Sequence, residues 1–224
     1  GAGTMTQTKD TPDNNFATGN PLQWSTLWTG GLSNGNNTLT GSSSTNTYNT
    51  LFSTLAAHKK GKWYAEFKLT TVGNIDLLAG IASPEAALHA AQNAKLYSSS
   101  YISKGNGYGL SCADGYAYWQ NDGSVGQADQ SMTGAVNDII GIYLDLDANK
   151  LYFAQNGTVL NSGTGISITN DAYFFEAADG AQGGSAGGDM NFGNGYFGTT
   201  AVTSGVADGA GEGTFEYTPP TGFY

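Results

Sequence analysis

The sequence contains no arginine, and all eight of its basic residues are lysines. Charged residues make up only 12% of the 224 residues, about half the share in an average soluble domain. The 18 acidic residues give a net charge of −10. Because binding to a phosphate backbone depends on clustered Lys and Arg, this balance argues against a nucleic-acid partner.

Cysteine and histidine are equally scarce. Cys112 stands alone, so the chain has no internal disulfide, and we expect a small buried apolar side chain there. His58 and His89 lack the neighbouring ligands of a zinc motif such as H-E-x-x-H, so we interpret them as surface or loop residues. The sequence predicts neither a metal site nor a cofactor.

A partial calcium-loop pattern occurs at Asp145-x-Asp147-x-Asn149. A full loop of that kind needs glycine at its sixth position, where this chain has Lys150. We therefore interpret the triplet as a turn between two strands, and the sequence leaves open whether a calcium ion is bound.

Long hydrophobic runs are also missing. No stretch approaches the roughly 18 apolar residues of a membrane-spanning helix, so we expect no membrane insertion. Instead, short apolar runs recur between clusters of Gly, Asn, Ser and Asp, which is typical of a β-sandwich or β-barrel. The predicted strands lie at 38–40, 63–70, 77–82, 116–119, 139–146, 151–154, 173–176 and 189–192.

The strand at 63–70 alternates most clearly. Its odd positions predict a core face and its even positions, including Tyr64 and Glu66, a wetter face. We expect four aromatic residues in the core: Trp63, Phe67, Phe153 and Phe192.

One short helix interrupts the strands. Ser83 is a good N-cap, Pro84 fits the first helical position, and Glu85 stands in the first turn, so we expect a helix at about 84–92. Residues 1–20 are polar and aperiodic and predict a linker or arm. We expect residues 21–224 to form a single domain with a Gly-rich C-terminal extension.

Several motifs in this order resemble the SPRY family: G-K-W-Y-A-E-F at 61–67, G-I-A at 80–82, and D-I-I-G-I-Y-L-D at 138–145 continuing to Asn156-Gly157. The resemblance covers about residues 45–195. It implies an all-β fold, a bent two-sheet antiparallel β-sandwich of the SPRY or concanavalin-like jelly-roll type, with one short helical insert. It also implies recognition of a protein or ligand without catalysis.

The flanks resemble SPRY-bearing virion proteins of tailed bacteriophages, above all Y-T-P-P-T-G-F at 217–223. This resemblance implies a virion surface or tail-fibre protein, made in the host cytoplasm. Its expected partners are a host-surface glycan or protein, or another virion subunit, with a homotrimer possible in the parent protein.

The same resemblance implies a recognition surface built from loops at one end of the sandwich. These loops are the stretch before Trp63, the insert 85–101 and the loop 179–185. The candidate ligand-binding residues in them are His58, Lys59, Tyr97, Tyr101, Asp179 and Gln182. Tyr116 and Tyr118, set among small polar residues, suggest further contact area.

Three alternatives stay open: a structural spacer without a ligand, a carbohydrate-active enzyme on a similar sandwich, and a cellular SPRY adaptor, which the flanks and the missing arginine fit poorly. An enzyme of this kind needs two carboxylates across a cleft, and Glu66 and Glu176 are the candidates. We interpret both as solvated strand residues and predict no catalytic residue. G-x-S-x-G patterns around Ser33 and Ser185 lack the strand-to-helix context of a hydrolase nucleophile.

Overall fold

A computed structural model describes residues 15–24, 31–41, 47–72, 77–90, 105–121, 124–169, 171–181 and 186–224. Within these ranges nearly all regular structure is strand, with one short α helix and one turn of 3-10 helix at Asn161–Gly163. The elements are β1 (Gly19–Trp24), β2 (Gly31–Ser33), β3 (Thr38–Thr40), β4 (Thr47–His58), β5 (Lys62–Thr71), β6 (Leu77–Ala82), α1 (Pro84–Ala90), β7 (Asn106–Ser111), β8 (Tyr116–Asn121), β9 (Ser124–Asp129), β10 (Ile139–Asp145), β11 (Lys150–Gln155), β12 (Thr158–Val159), β13 (Ile166–Ser167), β14 (Ala172–Ala181), β15 (Gly187–Asn191), β16 (Tyr196–Phe197) and β17 (Thr200–Ala201).

Two large antiparallel sheets form the body of the domain. The seven-stranded sheet has the order β1-β4-β14-β6-β7-β8-β9, and the eight-stranded sheet has the order β12-β11-β10-β5-β15-β3-β2 with β13 paired to β11. Their facing side chains form a single buried cluster. The chain is therefore an all-β two-sheet antiparallel sandwich, as the sequence predicts.

The core between the sheets contains three of the four expected aromatics, since Phe67, Phe153 and Phe192 are buried there together with Cys112. The prediction for Trp63 is wrong, because this residue is 37% exposed. Trp63 stands near the start of β5, where its indole Nε1 donates to the carbonyl of Lys60 at 3.1 Å and the ring lies over Gly61. The side chain thus lies against its own turn.

The other face of β5 is also buried, which the alternation does not predict. Tyr64 is buried in a second cluster with Tyr143, Phe215 and Phe223, and Glu66 has no exposed surface. The segment 206–224 covers this face, and the backbone of Tyr224 is hydrogen-bonded to the backbones of Lys62 and Tyr64 in β5. The wetter face predicted for Tyr64 and Glu66 is therefore a third packed layer.

The β10–β11 hairpin explains the strongest motif. The Asp138 carboxylate accepts hydrogen bonds from the Asn156 side chain at 2.7 Å, the Gln155 side chain at 2.7 Å and the Ala135 backbone at 2.8 Å. The side-chain amide oxygen of Asn156 accepts a hydrogen bond from the backbone N–H of Ile139 at 2.9 Å. The Asp and Asn of this motif therefore bind each other and fasten the open end of the hairpin, where β10 begins and β11 ends.

Helix α1 begins where the sequence predicts. The Ser83 hydroxyl accepts from the backbone N–H of Ala86 at 3.3 Å and of Asn106 at 3.0 Å. It therefore caps the helix and also ties it to β7. The predicted end of the helix at residue 92 lies outside the described residues.

The triplet that resembles a calcium loop forms the predicted turn. Asp145 pairs with Lys62 at 3.0 Å and accepts the backbone N–H of Ala148, and Asp147 accepts the backbone N–H of Gly61 at 2.9 Å. Turn contacts therefore occupy these carboxylates. In the part of the chain that the structure describes, no three His, Cys, Asp or Glu side chains are grouped so as to hold a metal ion.

The described residues include no helix that is both long and apolar enough to cross a bilayer.

Candidate functional site

The turn between β4 and β5 lies at one end of the sandwich and is held firmly. Lys59 and Gly61 take positive φ angles of 60° and 92°. The Gly61 N–H donates to Asp147, and its carbonyl accepts from the backbone of Leu146 at 3.0 Å. The turn is thus fastened to the β10–β11 turn.

A cleft of about 180 Å³ opens beside this turn. Its walls come from the end of β4, the start of β5, residues 15–17 and the segment 206–224. Most of its surface is apolar, and three large apolar side chains in its lining are partly exposed: Leu55 at 54%, Trp63 at 37% and Tyr224 at 49%. The remaining lining residues are Asn15, Phe16, Ala17, Ala56, Ala57, Tyr64, Phe175, Phe192, Asp208 and Phe215.

Two aromatic residues of the cleft, Trp63 and Tyr64, have their polar atoms engaged within the protein. The Trp63 indole nitrogen is already bound to Lys60, so the ring contributes an apolar face. The Tyr64 hydroxyl donates to Glu66 at 3.0 Å behind the cleft, and burial raises the pKa of this hydroxyl far above its ordinary value. The cleft therefore offers flat apolar contacts with few phenolic donors.

Asp208 supplies the carboxylate of the cleft lining. Its Oδ1 accepts the backbone N–H groups of Ala210 at 2.8 Å and Glu212 at 2.9 Å, which fixes the side chain in its own turn. No described residue donates to Oδ2. The arrangement holds an oriented carboxylate next to an aromatic wall.

No pattern in the sequence indicates this cleft. Asp208 and Trp63 are 145 positions apart in the chain, and no motif connects them. The available signal was the family-like W-Y at 63–64, of which we assigned Trp63 to the core and Tyr64 to the wetter face of β5.

The six predicted ligand-binding residues fall into different places. His58 and Lys59 are exposed at the turn beside the cleft but do not line it. Tyr97, Tyr101 and Gln182 lie outside the described residues. Whether any of the six binds a ligand stays a prediction.

Asp179 lies at the opposite end of the sandwich from His58. In the β4–β14 pair, His58 stands opposite Ala172 and Asp179 stands opposite Asn49. Seven residues of strand separate Ala172 from Asp179, a distance of about 23 Å. We expected His58 and Asp179 to belong to one surface, and for Asp179 this expectation is wrong. The strand β14 is long, and its first residue lies next to His58 whereas Asp179 lies near its other end.

The two carboxylates considered for glycoside hydrolysis do not face each other, and neither is solvated. Glu66 is on the outer face of the eight-stranded sheet, where it accepts hydrogen bonds from Tyr64, Asn191, Glu216 and Tyr217. Burial raises the pKa of Glu66, and these hydrogen bonds offset only part of that effect. Glu176 alternates with core residues of β14 and is on the outer face of the other sheet. The sandwich separates them, so they cannot act on one bond.

Tyr116 and Tyr118 form a separate surface. Their side chains share the outer face of β8 with ring centroids 6.1 Å apart, and the Tyr118 hydroxyl donates to Asp114 at 2.6 Å. These tyrosines do not contribute to the cleft.

Compared by sequence, the chain matches no protein-family model and no curated protein. By structure, it is similar to the SPRY domain of human HERC1, with a TM-score of 0.55 and 11% identity over 77% of this chain and 96% of that one. Further matches are the TRIM65 PSpry domain (TM-score 0.49, 14% identity, 77% and 90% covered) and the carbohydrate-binding module CBM66 from Bacillus subtilis (TM-score 0.47, 8% identity, 75% and 92% covered). The similarity to the HERC1 domain shows the fold, which is that of a SPRY-type β-sandwich.

Proposed function

We propose that this domain is a non-catalytic recognition module whose ligand is a surface glycan, bound in the cleft beside the β4–β5 turn. The observation that carries the proposal is the combination of exposed Trp63 and Tyr224 with the fixed carboxylate of Asp208. Aromatic faces stack on the C–H faces of sugar rings, and a carboxylate oxygen without a partner accepts sugar hydroxyls. Sugar binding needs both kinds of contact.

The size of the cleft favours a small group. At about 180 Å³ it is smaller than the roughly 300–1,000 Å³ of pockets that enclose drug-sized ligands. It therefore suits one terminal sugar or one side chain of a larger partner. A protein receptor that inserts such a side chain is the second candidate, since the wall of the cleft is mostly apolar.

The absence of catalysis is part of the proposal. Hydrolysis of a glycoside usually requires two carboxylates flanking the bond. Of the described residues that line the cleft, Asp208 alone has a carboxylate. A single fixed carboxylate supports binding and orientation.

The biological setting we propose is a phage virion, in a tail fibre or another surface protein. This rests on the resemblance of the flanking sequence, and the acidic, arginine-free composition is compatible with it. Docking onto a neighbouring virion subunit, within a homotrimer, is the corresponding alternative partner.

The test is a glycan array probed with the labelled domain, with analysis of the supernatant for released sugar. We expect retention on a subset of glycans without release. Trp63→Ala should weaken retention at least about tenfold, since aromatic anchors dominate such sites. Val125→Ala, which removes an exposed apolar side chain from the edge strand β9, should change nothing.

Other outcomes would redirect the assignment. Released sugar would overturn the non-catalytic reading. Equal losses in the Trp63 and Val125 variants would show that the cleft is not the site. Absence of retention on all glycans would favour a protein receptor or a structural spacer.

A further inference from the structure

Glu176 is a buried carboxylic acid without a visible partner. It stands in β14 between Phe52 of β4 and Gly80 of β6, with its side chain on the outer face of the seven-stranded sheet. The residue is 1% exposed, and neither of its carboxyl oxygens has a hydrogen-bond partner among the described residues. A buried polar group in this state is costly and calls for a physical explanation.

The strands β4, β6, β7 and β8 and the helix α1 contain no lysine. Phe52, Gly80 and Gly109 are the neighbours that β4, β6 and β7 supply, and Oε1 lies 3.6 Å from where a Cβ on Gly109 would be. The titratable and charged side chains that the described parts of the surrounding elements carry on this side of the sheet are Tyr116 and Tyr118 of β8, Asp129 of β9, Glu85 of α1 and His58 of β4. His58 is exposed at the end of its strand, opposite Ala172 and four residues along β14 from Glu176.

An ionised Glu176 would therefore be uncompensated. Burial raises the pKa of Glu176 well above its ordinary value of 4.5, and no described residue opposes this effect. The buried position therefore favours the neutral form of the Glu176 carboxyl group, whereas the ionised form is stabilised by contact with water.

Helix α1 packs on the same apolar surface that surrounds this acid. Ala86 and Ala87 of the helix form a buried cluster with Phe52, Ala82 and Phe174. Phe52 is the register neighbour of Glu176, and Phe174 lies two residues before it on the same face. The helix also contacts β14 and β7, the strands that hold Glu176 and Gly109.

We propose that protonation of Glu176 controls whether helix α1 stays packed against the seven-stranded sheet. While the acid is neutral, the sheet presents an apolar surface on which the helix is docked. Ionisation draws water to the carboxylate and favours an opened state in which α1 has left Phe52 and Phe174. The proposal is independent of the glycan-binding function.

The magnitude follows from proton linkage. The docked state binds one proton more than the opened state at pH values between the opened-state pKa of 4.5 and the higher docked-state pKa. In that range the opening equilibrium rises by up to about tenfold for each pH unit. Below it the docked helix is at its most stable.

The test is hydrogen exchange of the α1 amides at several pH values, corrected for the intrinsic pH dependence of exchange. In the wild-type domain the protection of amides such as Ala87 should fall by up to about tenfold per pH unit. In Glu176→Gln, which is neutral at every pH, this dependence should vanish. Glu85→Gln removes an exposed carboxylate from the helix itself and should retain the wild-type slope.

Two controls separate the possible outcomes. Glu176→Met replaces the acid by an apolar side chain of similar length. It should also remove the pH dependence of protection, and it takes the place of Glu176→Gln if the glutamine variant folds poorly. The proposal would be overturned if the protection of α1 in the wild type did not change with pH. It would also be overturned if both Glu176 variants showed the same pH dependence as the wild type. Loss of protection in core strands together with α1 would do the same, because it would assign the proton to global unfolding.

Discussion

At the residue scale, several positions in the sheets are set by the space around a single Cα. Gly188 in β15 and Gly109 in β7 are both strand glycines, and each stands among buried neighbours. A Cβ on Gly188 would come within 2.6 Å of the Lys68 carbonyl oxygen and 2.4 Å of the Phe67 ring. A Cβ on Gly109 would meet nothing closer than 3.5 Å. Sequence pattern does not distinguish the two, but their surroundings do.

We therefore predict opposite results for the same substitution. Gly188→Ala should lower the free energy of unfolding by about 1–3 kcal/mol, because a backbone atom has to move. Gly109→Ala should change it by less than about 0.5 kcal/mol, since an ordinary van der Waals contact results. Urea denaturation of both variants measures the difference, and equal costs would show that the close packing of β15 against β5 is wrong.

At the element scale, the β10–β11 hairpin is the part in which local sequence and tertiary structure agree best. Directly after β11, Asn156 and Gly157 form the turn to β12 with φ angles of 49° and 78°, which suit the Asn-Gly pair in a tight turn. Burial alone would raise the pKa of Asp138, but hydrogen bonds from Asn156, Ala135 and Gln155 outweigh it and lower the pKa below 3.8. The hairpin is thus stabilised by side chains that its own motif contains.

Substitution of Asn156 should separate the contributions of side chain and backbone. Asn156→Gly keeps the positive φ and loses two hydrogen bonds, so we expect a loss of about 1–3 kcal/mol in the free energy of unfolding. Asn156→Ala should lose about 1 kcal/mol more, because alanine is strained at that φ. If alanine were no worse than glycine in chemical denaturation, the strain argument would fail.

The same substitution has an expected pH signature. A lowered folded-state pKa means that the contribution of Asp138 is present above its unfolded value of 3.8 and is lost as pH falls through the folded value. Without Asn156 this acid-side loss of stability should become smaller, which thermal melts between about pH 2 and pH 5 would measure.

At the scale of the whole molecule, the segment 206–224 changes what the outer face of the eight-stranded sheet is. The Glu66 carboxylate accepts the backbone N–H groups of Glu216 at 3.0 Å and Tyr217 at 2.8 Å. The Phe215 ring packs on Tyr64 with centroids 4.9 Å apart. One polar and one apolar contact thus attach the same segment.

Because both contacts act on one segment, their loss should be non-additive. Glu66→Gln should cost about 2–4 kcal/mol, since two of four donors lose their acceptor, and Phe215→Ala should cost about 3–5 kcal/mol. The double variant should cost clearly less than the sum, because the segment is released only once. A double-mutant cycle in urea measures this, and strict additivity would indicate that the two contacts are independent.

The pattern of residues along the chain was sufficient for the all-β class, for strands such as β5, β6, β10 and β11, and for the capped start of α1, but it did not indicate β1, β4, β7 or β9. These features depend on neighbours in sequence: alternation in β5, Asn-Gly turns at the hairpins, and Ser83 before Pro84. The family-like motif at 138–157 also correctly predicted the sandwich. Its Asp138 and Asn156 bind each other and fasten the β10–β11 hairpin, so the motif specifies this part of the fold locally. Of the candidate ligand-binding residues, the sequence located His58 and Lys59 beside the cleft without indicating the cleft.

Only the tertiary structure decided which side chains are buried and which distant residues lie next to each other. Alternation assigns Glu66 to a second face of β5, but whether that face meets water depends on a segment about 150 residues later. Trp63 is exposed because its ring lies over Gly61, and Glu176 is buried and unpaired because of what packs above its sheet. Local sequence specifies backbone conformation through short-range sterics and hydrogen bonds, whereas solvent exposure is a property of the whole surface. The cleft of Trp63, Tyr224 and Asp208 forms only when the segment 206–224 packs beside the start of β5, because its residues are far apart in the sequence.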